Sequence, residues 1–318
     1  MRAILYETLA AVGQHAELHH LQRLGAGLGR LIWAAIPSRR RVATSALQEH
    51  LGLDPIRAKS TAHESFIHNG RSFLEILLCR QFDWRFAQKH VMIDSPQLLR
   101  NIQEQFRDRA CVTITAHLGA WELLGGILHL MAPQEHKQVV VKATHDQHLY
   151  RVIRRMRSHP TVQIIEHQQA APKVLRNLKQ HGMSAFLVDH NCRREEAVFL
   201  PFLGRAAAVN VGPALLALRS KAFVWPVFLV REPPKTYRLL FEAPLDTRSL
   251  TGNRQQKVEA IARFYTEAVE RMVRNYPEQW FWMHRRWKTR PKGERTEIFP
   301  SGSNTRWNTT TDITPEKS

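Results

Sequence analysis

The 318-residue sequence holds only three cysteines, Cys79, Cys111 and Cys192, and no Cys-x-x-Cys pair. That count argues against a disulfide framework or a zinc ribbon and points to a reducing compartment. A secretory leader is not expected, because the apolar run in the opening MRAILYETLAAVG is short and broken by Glu7. Long uncharged apolar stretches are missing too. The nearest, residues 111–133, contains Glu122 and is punctuated by Gly119, Gly125 and Gly126. A buried strand, CVTIT, running into a buried helix is expected there rather than a membrane span. There is no internal repeat, no Gly-x-Ser-x-Gly and no His-Glu-x-x-His. Those gaps weigh against a serine acyl-enzyme and against a paired-histidine metal site. Acidic residues are scarce: 28 Asp and Glu face 46 Lys and Arg, a formal charge of +18. Such an excess implies an anionic partner. The basic residues are spread along the chain, so nucleic acid, a membrane surface, an acidic protein and a phosphorylated substrate all stay open at this point.

What is present suffices for a folded core, since 43% of residues are hydrophobic and 23% charged. The first hundred residues read as helices. Leu21, Leu24, Leu28, Leu31 and Ala35 recur at helical spacing before Pro37, and Arg39, Arg40 and Arg41 follow. This stripe suits a core helix or an interfacial one, with Trp33 and the arginines at lipid headgroups. Asp54 and Pro55 mark a helix start, with a stripe running to about Cys79. From Cys111 short apolar runs (CVTIT, QVVVKA, VQII, SAFLVD, FVWPVFLV, YRLLFE) alternate with helical patterns near 145–157, 170–181 and 211–221, before a final helix over 254–275. Alternation of this kind implies an α/β domain with a mostly parallel sheet. The expected division is a helical region over 1–105 that packs on the core and potentially on a membrane, an α/β core over 106–292, and a flexible polar tail over 293–318.

In such sheets ligands bind beyond the carboxyl ends of the strands. His117 follows CVTIT by two residues and falls on that rim. Glu122, in the first turn of the next helix, is expected to lie beside it. A carboxylate on one imidazole nitrogen fixes the tautomer and leaves the other nitrogen basic, which equips the pair to deprotonate a hydroxyl. The plainer alternative is a chance pair on a solvated surface.

The stretch HLGAWE resembles the His-x4-Glu/Asp motif of the lipid A late acyltransferases. FLVDHN at 186–191, VFLPFLGRAAAVNVGPALLA at 198–217 and YPEQWFWMHRRWKTRP at 276–291 are similar to further segments of that family, in the same order. The resemblance implies a glycerolipid acyltransferase-like fold: a mostly parallel sheet flanked by helices and preceded by a helical N-terminal region. It implies transfer of an acyl chain from an acyl carrier protein or coenzyme A thioester to a hydroxyl of a lipid A precursor, with no resident cofactor and no metal. His117 would be the general base and Glu122 its orienting partner. Arg205, Arg285, Arg286 and Lys288 lie in the matched motifs and suit anionic groups, since such precursors carry phosphates and acyl carrier proteins are acidic. Arg285 and Arg286 would otherwise form internal pairs. Arg157 matches a family arginine near the site, and Asp189 ends a strand on the rim of His117, binding substrate or holding an arginine. Lys142 stands where the family usually has an arginine, and the family's long N-terminal transmembrane segment is not seen. These departures leave another glycolipid, a phospholipid or an aminolipid as acceptor. The resemblance places the protein at the cytoplasmic face of an inner membrane, without a nucleic-acid partner. Two rival classes use other residues: a nucleic-acid binder built on HRRWKTRPKGER, and a metal hydrolase built on His117, Glu122, Asp189 and His190.

Overall fold

The computed structural model describes residues 16–142, 146–159, 161–233 and 235–294. Most of the expected tail, and the opening segment, lie outside the described residues. Helices α1 (Leu18–Ala35), α2 (Pro37–Leu51) and α3 (Pro55–Glu75) come first. Asp54 caps α3 by accepting from Ile56 N and Arg57 N, both at 2.9 Å. After α4 (Trp84–His90) the chain forms a three-residue strand β1 (Val91–Ile93), then α5 (Pro96–Phe106). The purely helical expectation for the first hundred residues therefore fails at β1, which is too short to show a strand period. It pairs parallel with β9 (Tyr237–Phe241) inside the main sheet, so the helical region and the sheet share one layer.

That sheet has the order β1-β9-β8-β2-β5-β3-β4. Its centre comprises β2 (Cys111–Thr115), β5 (Met183–Leu187), β3 (Lys137–Val141), β4 (Val162–Glu166) and β8 (Phe223–Val230), all mutually parallel. β9 returns antiparallel to β8. All the runs read as strands from the sequence are strands. The connecting helices α6 (Leu124–Met131), α7 (Gln147–Arg157), α8 (Ala170–Lys179), α9 (Gly212–Ser220) and α10 (Arg254–Asn275) fall where periodicity placed them. Along β8, Val224, Phe228 and Val230 enter one apolar cluster and Phe223, Trp225, Val227 and Leu229 the other. Both faces are covered, as parallel sheets require. Pro226 lies where the outer edge of β8 changes partner, from β10 (Leu245–Asp246) at Val224 to β9 at Val227. The missing N–H costs least at that break.

A hairpin of β6 (Ala197–Phe202) and β7 (Arg205–Asn210) forms a second, two-stranded sheet that the sequence reading did not separate from the helix after it. Its turn residues Leu203 and Gly204 have φ of 51° and 81°. Two successive left-handed residues match the twist of a tight hairpin.

Helices α1 and α3 touch at their backbones. A Cβ on Gly29 would lie 2.2 Å from Phe66 O, and one on Gly25 2.5 Å from the Arg71 Cα. Only glycine allows this approach. The buried face of α1 is accordingly Leu21, Gly25, Ala26 and Gly29. Leu24 and Leu31 are each 64% exposed, so the leucine stripe is not a core stripe. Trp33 packs edge-on against Phe66 and His63.

Candidate active site

Strands β2 and β5 are in register from Cys111↔Met183 to Thr115↔Leu187. Val188 N continues the ladder to Thr115 O at 3.1 Å. Two residues beyond the last pair, each chain delivers one polar side chain to the rim: His117 from β2 and Asp189 from β5. His117 Nδ1 lies 2.9 Å from Asp189 Oδ1. His117 N and Trp280 Nε1 both donate to Asp189 Oδ2, each at 2.9 Å. The Asp189 side chain is 0% exposed and that of His117 is 19% exposed. Burial alone would push the Asp189 carboxyl up. The charge and hydrogen bond of His117 outweigh it and hold the group well below the usual carboxylate range. An ionised carboxylate only accepts, so Nδ1 carries a proton, and whenever the ring is neutral the lone pair is on Nε2.

Glu122 is not the partner of His117. It sits in a 3₁₀ turn, Trp121–Leu123, ahead of α6. There it takes Arg157 bidentately, Nε at 2.7 Å and Nη2 at 2.5 Å. The turn points the Glu122 side chain towards the end of α7, a direction that spacing along the sequence does not reveal. Burial would lower the Arg157 guanidinium, but Glu122 holds it above its usual range.

The C-terminal signature closes over this rim. Leu118 bridges antiparallel to Trp280. Gly119 N donates to Gln279 O at 3.1 Å and Phe281 N to His117 O at 3.0 Å. Gly119, at φ 63°, has no room for a side chain, since a Cβ would lie 2.2 Å from Leu229 O. Rings of Trp121 and Phe281 stand 5.5 and 6.2 Å from that of His117. His190 stands edge-on at 4.1 Å, and His284 lies 5.2 Å from His190. Burial, ahead of neighbouring charges, pushes His190 down to about 4 and His284 down to about 3.

The remaining sequence candidates scatter. Lys142 is exposed at the end of β3, near enough for its charge to act on His190. Arg205 pairs with Glu49. Arg286 is 2% exposed and its Nη1 donates to Ala208 O at 2.6 Å, so it braces the hairpin instead of offering a surface charge. Burial pushes it down to about 10. Arg285 and Lys288 are exposed. With Arg286 and Arg290 both buried, HRRWKTRPKGER is not a continuous basic surface. The metal-hydrolase reading also weakens. His117, Asp189 and His190 bring ligand atoms within 4.8 Å of one another. Yet the Asp189 oxygens already hold three N–H donors, while Glu122 is committed to Arg157.

Sequence reasoning did not single out Trp280, and named His190 only as a ligand of the rival metal hydrolase. Trp280 could have been found only by asking why a tryptophan sits in the long C-terminal motif.

A family model described as bacterial lipid A biosynthesis acyltransferase matches residues 5–289. Over 122 residues, 38% of each chain, the sequence is 32% identical to the Lipid A biosynthesis lauroyltransferase of Escherichia coli (strain K12). Over 194 residues, 60% of each chain, it is 26% identical to the Lipid A biosynthesis palmitoleoyltransferase of the same organism and to the Lipid A biosynthesis acyltransferase of Shigella flexneri. These alignments span 38% and 60% of the relatives' lengths. The family match extends over nearly the whole chain, across the His117 loop, the Asp189 strand and the C-terminal signature, and on that ground the chain belongs to the bacterial lipid A biosynthesis acyltransferase family.

Proposed function

We propose that this protein is an acyltransferase that moves a fatty acyl chain from a carrier thioester to a hydroxyl of a lipid A precursor. The observation that carries the chemistry is the 2.9 Å contact between His117 Nδ1 and the buried Asp189 carboxylate. His117 Nε2 takes the proton of the acceptor hydroxyl as its oxygen attacks the thioester carbonyl. Asp189 fixes the tautomer and offsets the imidazolium charge. The tetrahedral intermediate expels the thiolate of the acyl carrier protein or coenzyme A, which takes the proton back from Nε2. Family membership, the His117–Asp189 geometry and the lack of a nucleophile elbow favour this direct transfer over an acyl-enzyme.

Glu122 is a positioning residue in this reading. Its two oxygens engage Nε and Nη2 of Arg157 and leave Nη1 as the edge that meets an anionic substrate group. Exposed Lys142 and Lys288 suit acidic partners at the surface.

The protein works from a membrane surface. No helix among the described residues is long and apolar enough to cross a membrane. Exposed Leu24, Leu31 and Ile36 instead form an apolar ridge, flanked by exposed Arg23, Arg30 and Arg41. That combination suits a helix lying in the interface of an anionic leaflet.

The test is mass spectrometry of lipids from cells with and without the gene, joined to an assay of the purified protein with acyl carrier protein and coenzyme A thioesters. Loss of one acyl chain from the lipid A fraction is expected. Loss from a phospholipid or aminolipid alone would reassign the acceptor.

A further inference from the structure

Three buried nitrogens at the junction of α1, α3 and β8 have no hydrogen-bond partner among the described residues: His68 Nδ1, Arg71 Nε and Arg231 Nη1. His68, Arg71 and Glu75 recur at i, i+3 and i+7, so they share one face of α3. Arg231, the residue after β8, lies against that face. Its Nη2 donates to Ser72 Oγ at 2.7 Å and to Glu75, and its Nε donates to Glu75 Oε1 at 3.1 Å. The Arg231 side chain is 7% exposed and that of Glu75 0%. Glu75 Oε1 also accepts from Tyr237 Oη at 2.8 Å and from Gln22 Nε2 at 3.4 Å, while Oε2 accepts from Arg231 Nη2. Arg231 thus pairs directly with Glu75, while Arg71 feels Glu75 and Glu64 through charge. Burial first and the Arg231 charge second hold the Arg71 guanidinium below its usual range. Burial, Arg231 and Arg71 push His68 down to about 3, so its ring is neutral near pH 7. Arg71 is half-buried, and leaving its Nε, Arg231 Nη1 and His68 Nδ1 buried without a partner is costly.

The location matters as much as the charge. Arg71 lies directly under α1, where a Cβ on Gly25 would come within 2.5 Å of the Arg71 Cα. The outer face of that helix is the apolar ridge of Leu24 and Leu31, and exposed Arg30 is close enough for its charge to act on Arg71. On the inner side, Ser72 Oγ donates to Gly119 O at 2.6 Å, and Ala120 N donates to Leu229 O at 2.7 Å. The cluster therefore sits between the membrane-facing helix and the loop that carries His117.

We infer that His68, Arg71 and Arg231, with Arg30 at the entrance, form a subsite for the phosphate monoester headgroup of the acceptor lipid. The inference rests on the acyltransferase reading above. A phosphate monoester presents three terminal oxygens to three unused nitrogens and brings up to two negative charges, where a carboxylate offers two oxygens and one charge. Bound there, it would anchor the acceptor beside the His117 loop while its acyl chains stay with the membrane.

The experiment uses the full chain as Arg71→Gln, Arg71→Lys and His68→Gln, each checked by thermal melt. Acyl transfer is measured on an acceptor lipid and on the same lipid after phosphatase treatment. Removing the phosphate should raise the wild-type KM about tenfold or more, the scale of lost charge-assisted hydrogen bonds. Arg71→Gln should raise KM by a similar factor on the phosphorylated acceptor and leave it unchanged on the treated one, with kcat within a few-fold. Arg71→Lys should fall between, since lysine keeps the charge and loses the fork. An equal rise on both acceptors, or none on either, overturns the subsite. A second arm needs no turnover: flotation with phosphatidylcholine vesicles carrying phosphatidic acid or phosphatidylserine at equal charge, beside melts in inorganic phosphate. An Arg71-dependent preference for phosphatidic acid supports the headgroup. Protection by inorganic phosphate without that preference overturns it in favour of free phosphate. If wild-type protein shows that preference but transfers no acyl chain to any lipid, the acyltransferase reading fails and the subsite stands.

Discussion

Asp189 holds His117 twice, once through the imidazole Nδ1 and once through the backbone N–H, both at 2.9 Å. The same carboxylate thereby sets the tautomer of the ring and the path of the chain that carries it. Asp189→Asn should keep the shape of the site and remove its charge. Acyl transfer is expected to fall by roughly 10²–10⁴, the range for a disabled general base. His117→Ala should lose a similar factor. Turnover within a few-fold of wild type in either variant, with a normal melt, would remove the pair from the mechanism.

Glu122→Ala should act on stability as well as on activity. It strips a side chain that is 8% exposed from an arginine that is 25% exposed. Breaking such a pair from one side costs about 3–5 kcal/mol, because the remaining charge is left without its partner. Replacing both partners with apolar residues, Glu122→Leu with Arg157→Met, should recover much of that loss while activity stays low. Denaturant unfolding of the two variants reads the difference. Equal destabilisation by both would contradict this account.

The ridge on α1 predicts interfacial binding. Leu24→Glu with Leu31→Glu changes two side chains that are each 64% exposed, so the fold should be unaffected. Sedimentation with anionic vesicles should drop sharply. Binding by the wild type should weaken with salt, since each cation near an anionic surface contributes about 1 kcal/mol. Unchanged sedimentation of the double variant would place the membrane contact elsewhere.

Stability should decline in mild acid. Burial pushes His68 and His284 down to about 3 and His159 down to about 4. In the unfolded chain these rings take up protons near 6.5. Below that pH the unfolded state binds more protons than the native one, so stability is full above about 6.5 and is lost as pH falls towards 4 and then 3. Melting curves between pH 8 and 4.5 should show Tm flat at the upper end and falling below 6.5. His284→Gln should flatten the slope. A Tm independent of pH between 7 and 5 would refute neutral burial of these histidines.

The sequence by itself determined the strands at the centre of the sheet, the positions of the major helices and the strand-end rim shared by His117 and Asp189. These features rest on local patterns: β-branched runs, a cap such as Asp54–Pro55, and period-3.6 stripes. Four ordered motifs, from HLGAWE to the C-terminal signature, also indicated the family. The partner of His117 was not legible. Glu122 is five residues away and Asp189 seventy-two, yet the parallel register of β2 and β5 brings the distant carboxylate alongside, while a 3₁₀ turn aims the near one at Arg157. The fate of the basic residues was equally a tertiary matter. Arg286 reads like Arg285 in the sequence, but one is buried against the hairpin and the other exposed. The leucines of α1 read equally as a core face or an interfacial one; Gly25 and Gly29 share the buried face with Leu21 and Ala26, because a helix that packs on its backbone leaves Leu24 and Leu31 outside. Local pattern sets which element forms. Only packing among distant elements decides which face is buried and which charges meet.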